Sequence, residues 1–413
     1  ETTHGGPLGF SGASYEKTIE LLGGDISRPF TIFPEVKELF KIREEELRDI
    51  VAQKNRQKEA WAKEQPLLAE KMAYWFKGDV PVIDWASIKQ VQNKPTRIAS
   101  GVVVDVLGQK VENIIGASAD LAMSDQTGRL LKYHKAVERG DFSGAFLQVG
   151  VSELTMACLC IGMALHGGVI PICGTFFAFS DYMKPAIRLA ALMKLPVKFI
   201  WSHDSFRIGE DGATHQPVEQ ELQIRLMEKL KNHDKKNSML VLRPADAEET
   251  TVSWKLALEN TNSPTGLILS GQSIRDLPAK NSRYDEGLMA EKGGYIITEE
   301  SDYDVILLAS GSEVALLVEV GEELKKEGIK TRIVSIPSEG LFRSQSKTYQ
   351  LSVLPKEAKI FGLTSGLPAT LENLVGADGM VWGLDTFGLS APYKVLEEEY
   401  GFTKNNITEQ VKL

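Results

Sequence analysis

Residues 202–220 read SHDSFRIGEDGATHQPVEQ. His203 and His215 enclose Asp204, Glu210 and Asp211, with Gly209 and Gly212 among them. Imidazoles and carboxylates can hold a metal, carry protons or hydrogen-bond a polar ligand. A metal site is the weakest of these readings, because His203, Asp211 and His215 lack a recognisable ligand spacing. A surface loop running into a helix explains PVEQELQIRL, where Pro217 suits a first turn and Val218, Leu222 and Leu226 recur every four residues. It does not explain HDS or GEDGATH. A polar substrate pocket on a glycine-shaped loop accounts for both.

Glu153 is the second unusual residue, lying between AFLQVGV and LTMACLCIGMAL. Ser152 is placed as an N-cap, which puts the acid in a first helical turn. The helix terminus favours the carboxylate and burial opposes it. It is either an ordinary first-turn acid or a carboxylate poised for a ligand nitrogen. In TFFAFSDY, Phe176, Phe179 and Tyr182 recur every three residues, so on a helical turn they share a face. That stripe is core packing or a slot for an aromatic ring.

The elements that must position these groups alternate between strand and helix. ENIIGAS, AFLQVGV, VIPICGTF, VKFIWS, SMLVLRP and TGLILSG read as strands, and ELTMACLCIGMALHGG and KPAIRLAALMKL (opening near Pro185) as helices. Residues 91–275 are therefore expected to form an α/β domain with a parallel sheet covered on both faces. Open parallel sheets bind ligands beyond the carboxyl ends of their strands. Asp120, Glu153, Phe176 and His203 each follow such a strand and should converge there. Residues 290–413 repeat the pattern as a smaller α/β domain, and the polar stretch 272–300 reads as a connection. Residues 1–90 read as a helical linker with only a partial apolar stripe at Leu39, Ile42, Leu47 and Ile50.

A length of 413 residues predicts two or three domains. The net charge of −9 argues against a general nucleic-acid binder. No apolar run approaches the roughly 20 residues of a membrane span. Cys158, Cys160 and Cys173 all lie in apolar segments, fit neither a disulfide framework nor a zinc site, and are expected to be reduced core thiols of a cytoplasmic protein. The chain opens on Glu1 and a glycine-rich THGGPLG, which reads as a piece of a longer or processed polypeptide.

HDSFRIGEDGATHQPVEQ strongly resembles a signature segment of transketolases. The likeness continues in GASADLAMS, TFFAFSDY, AIRLAALMKLPV, RPADAEE, TGLILSGQ, ASGSEVAL, RIVSIPS and TFGLSAP, over nearly the whole chain. It implies a pyrimidine-binding domain of the thiamine-diphosphate-binding fold at 91–275, a transketolase C-terminal domain at 290–413, and the tail of a diphosphate-binding domain within 1–90. It also implies transfer of a two-carbon ketol unit between sugar phosphates in carbohydrate metabolism, with thiamine diphosphate and magnesium or calcium. The divalent ion would be held by residues outside this sequence. A homodimer, or a partner chain carrying the diphosphate-binding domain, would complete the site.

By the same resemblance, Glu153 bonds the aminopyrimidine N1′ and promotes its imino form. Phe176, Phe179 and Tyr182 surround that ring, and Asp120 lies near the thiazolium. His4 and His215 stand around the reacting carbons, Asp211 reads a substrate hydroxyl, and His203 and Ser124 meet the substrate phosphate. Two arginines of the family pattern are expected where this sequence has Gly101 and Gly271. Arg207 stands where the family has a small or apolar residue and is the candidate for restoring the lost phosphate charge. Three functions follow: a transketolase, a split or specialised ketol transferase with a different or non-phosphorylated substrate, and a non-catalytic half. Intact Glu153, His203, Asp211 and His215 disfavour the last.

Overall fold

The computed structural model describes residue 6 and residues 8–413; His4 lies outside the described residues. The chain divides into two compact units, with the boundary between Ala73 and Tyr74. The first unit contains the helix Pro34–Glu64, which buries none of its residues. Its charged surface makes local pairs such as Arg43 with Glu46 at 2.8 Å. Leu39, Ile42, Leu47 and Ile50 are all exposed.

The second unit holds two sheets. The first comprises β1 (Ile114–Ser118), β2 (Phe146–Gln148), β3 (Ile170–Phe176), β4 (Lys198–Ser202), β5 (Leu240–Leu242) and β6 (Thr265–Leu269). Its order is β2-β1-β3-β4-β6-β5, and every pairing is parallel. Both faces are buried, which explains why these strands are apolar without alternation. Along β4, Phe199 and Trp201 join one core with Met156, Cys160 and Met183, while Ile200 joins another with Val103, Leu107 and Trp254. The helices Glu153–His166 and Ser180–Leu192 supply the first core. The helices Thr96–Lys110 and Ala247–Glu259 supply the second, tied by Trp254 Nε1 donating to Ser100 Oγ at 2.9 Å.

The second sheet comprises β7 (Tyr295–Glu299), β8 (Val305–Ala309), β9 (Thr331–Ser335), β10 (Ile360–Leu363) and β11 (Met380–Trp382), in the order β11-β10-β8-β9-β7. It is mixed, because β7 runs antiparallel to β9. β7 corrects the reading of 272–300 as pure connection, since its last residues form an edge strand. Pro185 is a second difference. The helix starts at Ser180 and carries the proline inside it, at the cost of one backbone hydrogen bond.

An apolar core joins the sheets: Phe206, Val218, Ala245 and Val252 share a cluster with Leu307, Val314, Leu317 and Phe402.

Candidate active site at the carboxyl edge of the parallel sheet

The carboxyl ends of β1, β2, β3, β4 and β6 lead into Asp120, Glu153, Phe176, His203 and Gly271 in turn. Glu153 is the first residue of its helix and only 6 % exposed. Thr175 Oγ1, from the end of β3, donates to its Oε1 at 3.3 Å. Its second oxygen accepts no hydrogen bond among the described residues. Ser152 holds the N-cap position but does not cap, because its hydroxyl donates to the Val149 carbonyl at 2.9 Å. The helix start is thus left to the acid itself, a favourable place for a negative charge.

Beside Thr175 the aromatic residues form a continuous wall. Phe176 and Phe179 stack at 5.8 Å with 14° between their planes. His203 lies 4.2 Å from Phe176, and His215 stands edge-on to Phe179 at 5.1 Å. Tyr182 extends the wall at 6.2 Å from Phe179 and is itself largely exposed. The three-residue spacing works because β3 ends at Phe176 and a 3-10 turn, Phe177–Phe179, carries the next ring round. Phe177 turns the other way, into the core against Trp201.

His203 has φ +60 and Asp120 has φ +64. Left-handed backbone at non-glycine residues is strained, and such strain concentrates at functional sites. Burial, then Arg97, then His215 push the His203 imidazole down to about 3, so it is neutral at physiological pH. Its Nδ1 lies 3.0 Å from Ser202 Oγ. His215 Nδ1 lies 2.9 Å from Thr214 Oγ1. Asp120 and Asp211 are exposed on loops of this edge. Asp211 closes the 3-10 segment Phe206–Asp211.

Two residues here were not singled out from sequence. Arg97 is half-buried, donating to the Gly271 carbonyl at 3.3 Å through Nε and to the Ser124 carbonyl at 2.8 Å through Nη1. It joins Ser124, Gly271 and His203 into one cluster. A cation in the first turn of a helix opposes the helix dipole, and that misfit was its signal in the sequence. Asp125 is 1 % exposed and accepts from Ser118 Oγ at 2.7 Å and from Thr127 N and Oγ1 at 2.8 and 2.6 Å. Burial pushes its carboxyl up to about 6 despite those bonds. The D-Q-T spelling of an Asx turn was its signal. Asp125 holds the loop that bears Asp120 and Ser124, and a side chain at Gly174 would lie 2.5 Å from its Oδ2.

The structure corrects the expectation for Arg207. Its side chain is buried, and its guanidinium pairs with Glu313 at 2.8 Å and Glu397 at 2.6 Å. A charge neutralised by two acids has nothing to offer a phosphate. A Cβ at Gly101, one helical turn after Arg97, would meet the Arg129 side chain, which pairs with Asp105. Gly271 does belong to the cluster, because a Cβ on it would stand 2.2 Å from His203 Cδ2.

Both sheets of the second unit fall within known family models. Residues 92–276 match the family model "Transketolase, pyrimidine binding domain", and residues 293–403 match "Transketolase-like TK C-terminal domain". The transketolase of Bacillus subtilis is 38 % identical over 418 residues, covering 99 % of this chain and 60 % of that protein. This chain thus spans about 60 % of the length of the curated relatives it matches. A transketolase structure from Leishmania mexicana superposes with a TM-score of 0.83 at 28 % identity, covering 95 % of this chain and 56 % of that one. One from Pichia stipitis, in complex with sedoheptulose 7-phosphate, superposes at 0.82 and 30 % identity, covering 96 % and 57 %. A split-gene transketolase, described as an inactive β4 tetramer, shares the fold at a TM-score of 0.59 and 23 % identity, covering 78 % of this chain and 97 % of that one. With both family models matched in the order of its two sheets, the chain belongs to the transketolase family.

Proposed function

We propose that this chain supplies the pyrimidine-binding half of a transketolase-type active site. The observation that carries the reading is Glu153: a nearly buried carboxylate with one oxygen unpartnered among the described residues, bonded to Thr175 at the end of the strand that leads into the stacked rings. An aminopyrimidine fits both, with a ring nitrogen for the acid and a flat face for Phe176 and Phe179. When bound, thiamine diphosphate supplies the carbon nucleophile and electron sink for breaking and remaking a bond beside a carbonyl. Glu153 would share a proton with the ring nitrogen at its free oxygen, and a largely water-free setting strengthens that interaction. Phe176, Phe179 and Tyr182 would fix the ring plane. Neutral His203 would hydrogen-bond sugar oxygens together with His215, the candidate proton carrier, and Asp211 would read a hydroxyl. Asp120 would face the cofactor, and Ser124 and Arg97 the far end of the sugar. The diphosphate and its divalent ion would be held by a second copy or by a partner chain, and His4 would stand with His215 around the reacting carbons.

A second reading rests on Gly271. With a glycine there and His203 neutral, Arg97 is the cation of that corner, which suits a substrate end with less charge than a phosphate.

The test is ketol transfer by the chain combined with a polypeptide bearing a diphosphate-binding domain, with thiamine diphosphate and magnesium. Transfer that vanishes in Glu153→Gln supports the reading. Transfer undiminished by that change overturns it. Phosphorylated and unphosphorylated acceptors run side by side decide between the two substrate classes.

A further inference from the structure

The loop 203–216 carries His203, Asp211 and His215, yet much of what holds it lies more than 100 residues away. Asp204, next to His203, pairs with Arg243 at 2.8 Å and accepts from Ser312 Oγ at 3.2 Å. Arg207 pairs with Glu313 and Glu397, and its guanidinium sits 4.8 Å over the Phe206 ring and 5.6 Å from the Phe402 ring. The segment 389–397 forms the loop's floor. Gln216 Nε2 donates to the carbonyls of Gly209 and Leu389, both at 2.9 Å. Ser390 Oγ donates to the Glu210 carbonyl at 2.5 Å. Gly209 and Gly212 take φ +80 and +77, and a Cβ on either would lie 3.3 Å from Ala391 or Ser390. Both glycines are needed for this close approach.

We propose that Arg207 is a positioning residue: by pairing with Glu313 and Glu397 it clamps the 203–216 loop to the C-terminal domain and so sets where Asp211 and His215 meet the substrate. The proposal rests on the reading above, that this loop faces the sugar. It gives the second sheet a part in the site without placing any of its residues there. Arg207 can act locally because the clamp is unevenly buried. Glu313 is fully enclosed, whereas the Glu397 side chain is 28 % exposed. It borders a polar cavity of about 340 Å³ lined by Gln272, Arg275, Glu319 and Lys404. Removing the Glu397 charge therefore loosens one jaw with little loss of core.

Hydrogen exchange on the chain alone, without cofactor, tests the clamp. In Glu397→Gln and Arg207→Gln, amides of 205–216 should exchange about tenfold faster or more, while β3 and β4 keep their protection. Arg207→Lys should restore most of it. Unchanged exchange in both glutamine variants overturns the clamp, as does acceleration spread evenly over the whole chain in Glu397→Gln. In the active assembly, Glu397→Gln should raise the acceptor KM about tenfold and leave kcat within about twofold. Faster exchange with an unmoved KM overturns the positioning role. A wild-type assembly without ketol transfer would remove the proposed function instead, and the exchange result would still decide the clamp.

Discussion

Two regions of the second unit bury charge, and they treat it in opposite ways. At the seam between the sheets every guanidinium has its acids. Arg225 pairs with Glu221 and Glu228, both at 3.1 Å, and Arg243 with Asp204, Glu221 and Glu313 at 2.8, 3.2 and 2.6 Å. Burial alone would pull Arg243 down, but those acids hold it above the usual arginine range. At the carboxyl edge of the parallel sheet, charges are left half-met. Among the described residues Glu153 has one weak partner, and Arg97 hydrogen-bonds two carbonyls and pairs with no carboxylate, feeling Asp125 only at a distance. Buried charges that satisfy one another hold a structure together. Buried charges left open toward a cleft are poised for a ligand.

The sharpest way to break that contrast is to remove one charge from each region. Glu153→Gln should lower ketol transfer by about 10²- to 10⁴-fold, while the urea midpoint barely moves. Arg243→Met should do the reverse first, costing about 3–5 kcal/mol of unfolding free energy by stranding Asp204 and Glu313, read from urea denaturation. A stability loss in Glu153→Gln as large as that in Arg243→Met would erase the distinction. Gly271→Ala tests the packing of the open region. Its new methyl meets the His203 ring, already pinned on Phe176, at an expected cost of about 1–3 kcal/mol and with weaker acceptor binding in steady-state kinetics.

The smallest effect is in pH dependence. His203 is held neutral well below the usual histidine range, so the unfolded chain binds more protons from about pH 3 to 6.5. Stability from this group is lost as pH falls through that window. Asp125, raised to about 6, binds protons more tightly when folded, so its contribution falls as pH rises from about 4 to 6. The two slopes oppose each other. Asp125→Asn should make stability climb more steeply between pH 4 and 6, and His203→Gln should make it climb less. Each slope is bounded by about 1.4 kcal/mol per pH unit. Denaturant midpoints at four pH values would expose a wrong sign in either.

Local pattern was enough for much of this molecule. The six parallel strands were legible because each is a short apolar run closed by a turn, and strand-helix alternation dictates a parallel sheet. Glu153 stood out because an acid between two apolar runs is costly without a purpose. The spacing of Phe176, Phe179 and Tyr182 survived because a single 3-10 turn preserves it. Edge strand β7 was hidden by the polar, turn-rich residues 272–294 that precede it, although its own Tyr295 and Ile297 are buried.

What the sequence by itself determined was the set of chemical groups and the sheet edge to which they come. What only the tertiary structure decided was which charges remain open. On paper Arg207 and Arg97 are alike in one respect, each a cation followed directly by an isoleucine. One faces Glu313 and Glu397, 106 and 190 residues away, and is closed. The other donates to two backbone carbonyls beside His203, with no carboxylate paired to it among the described residues. Electrostatic partners are chosen by distance in space, and a linear pattern carries no information about distances that long.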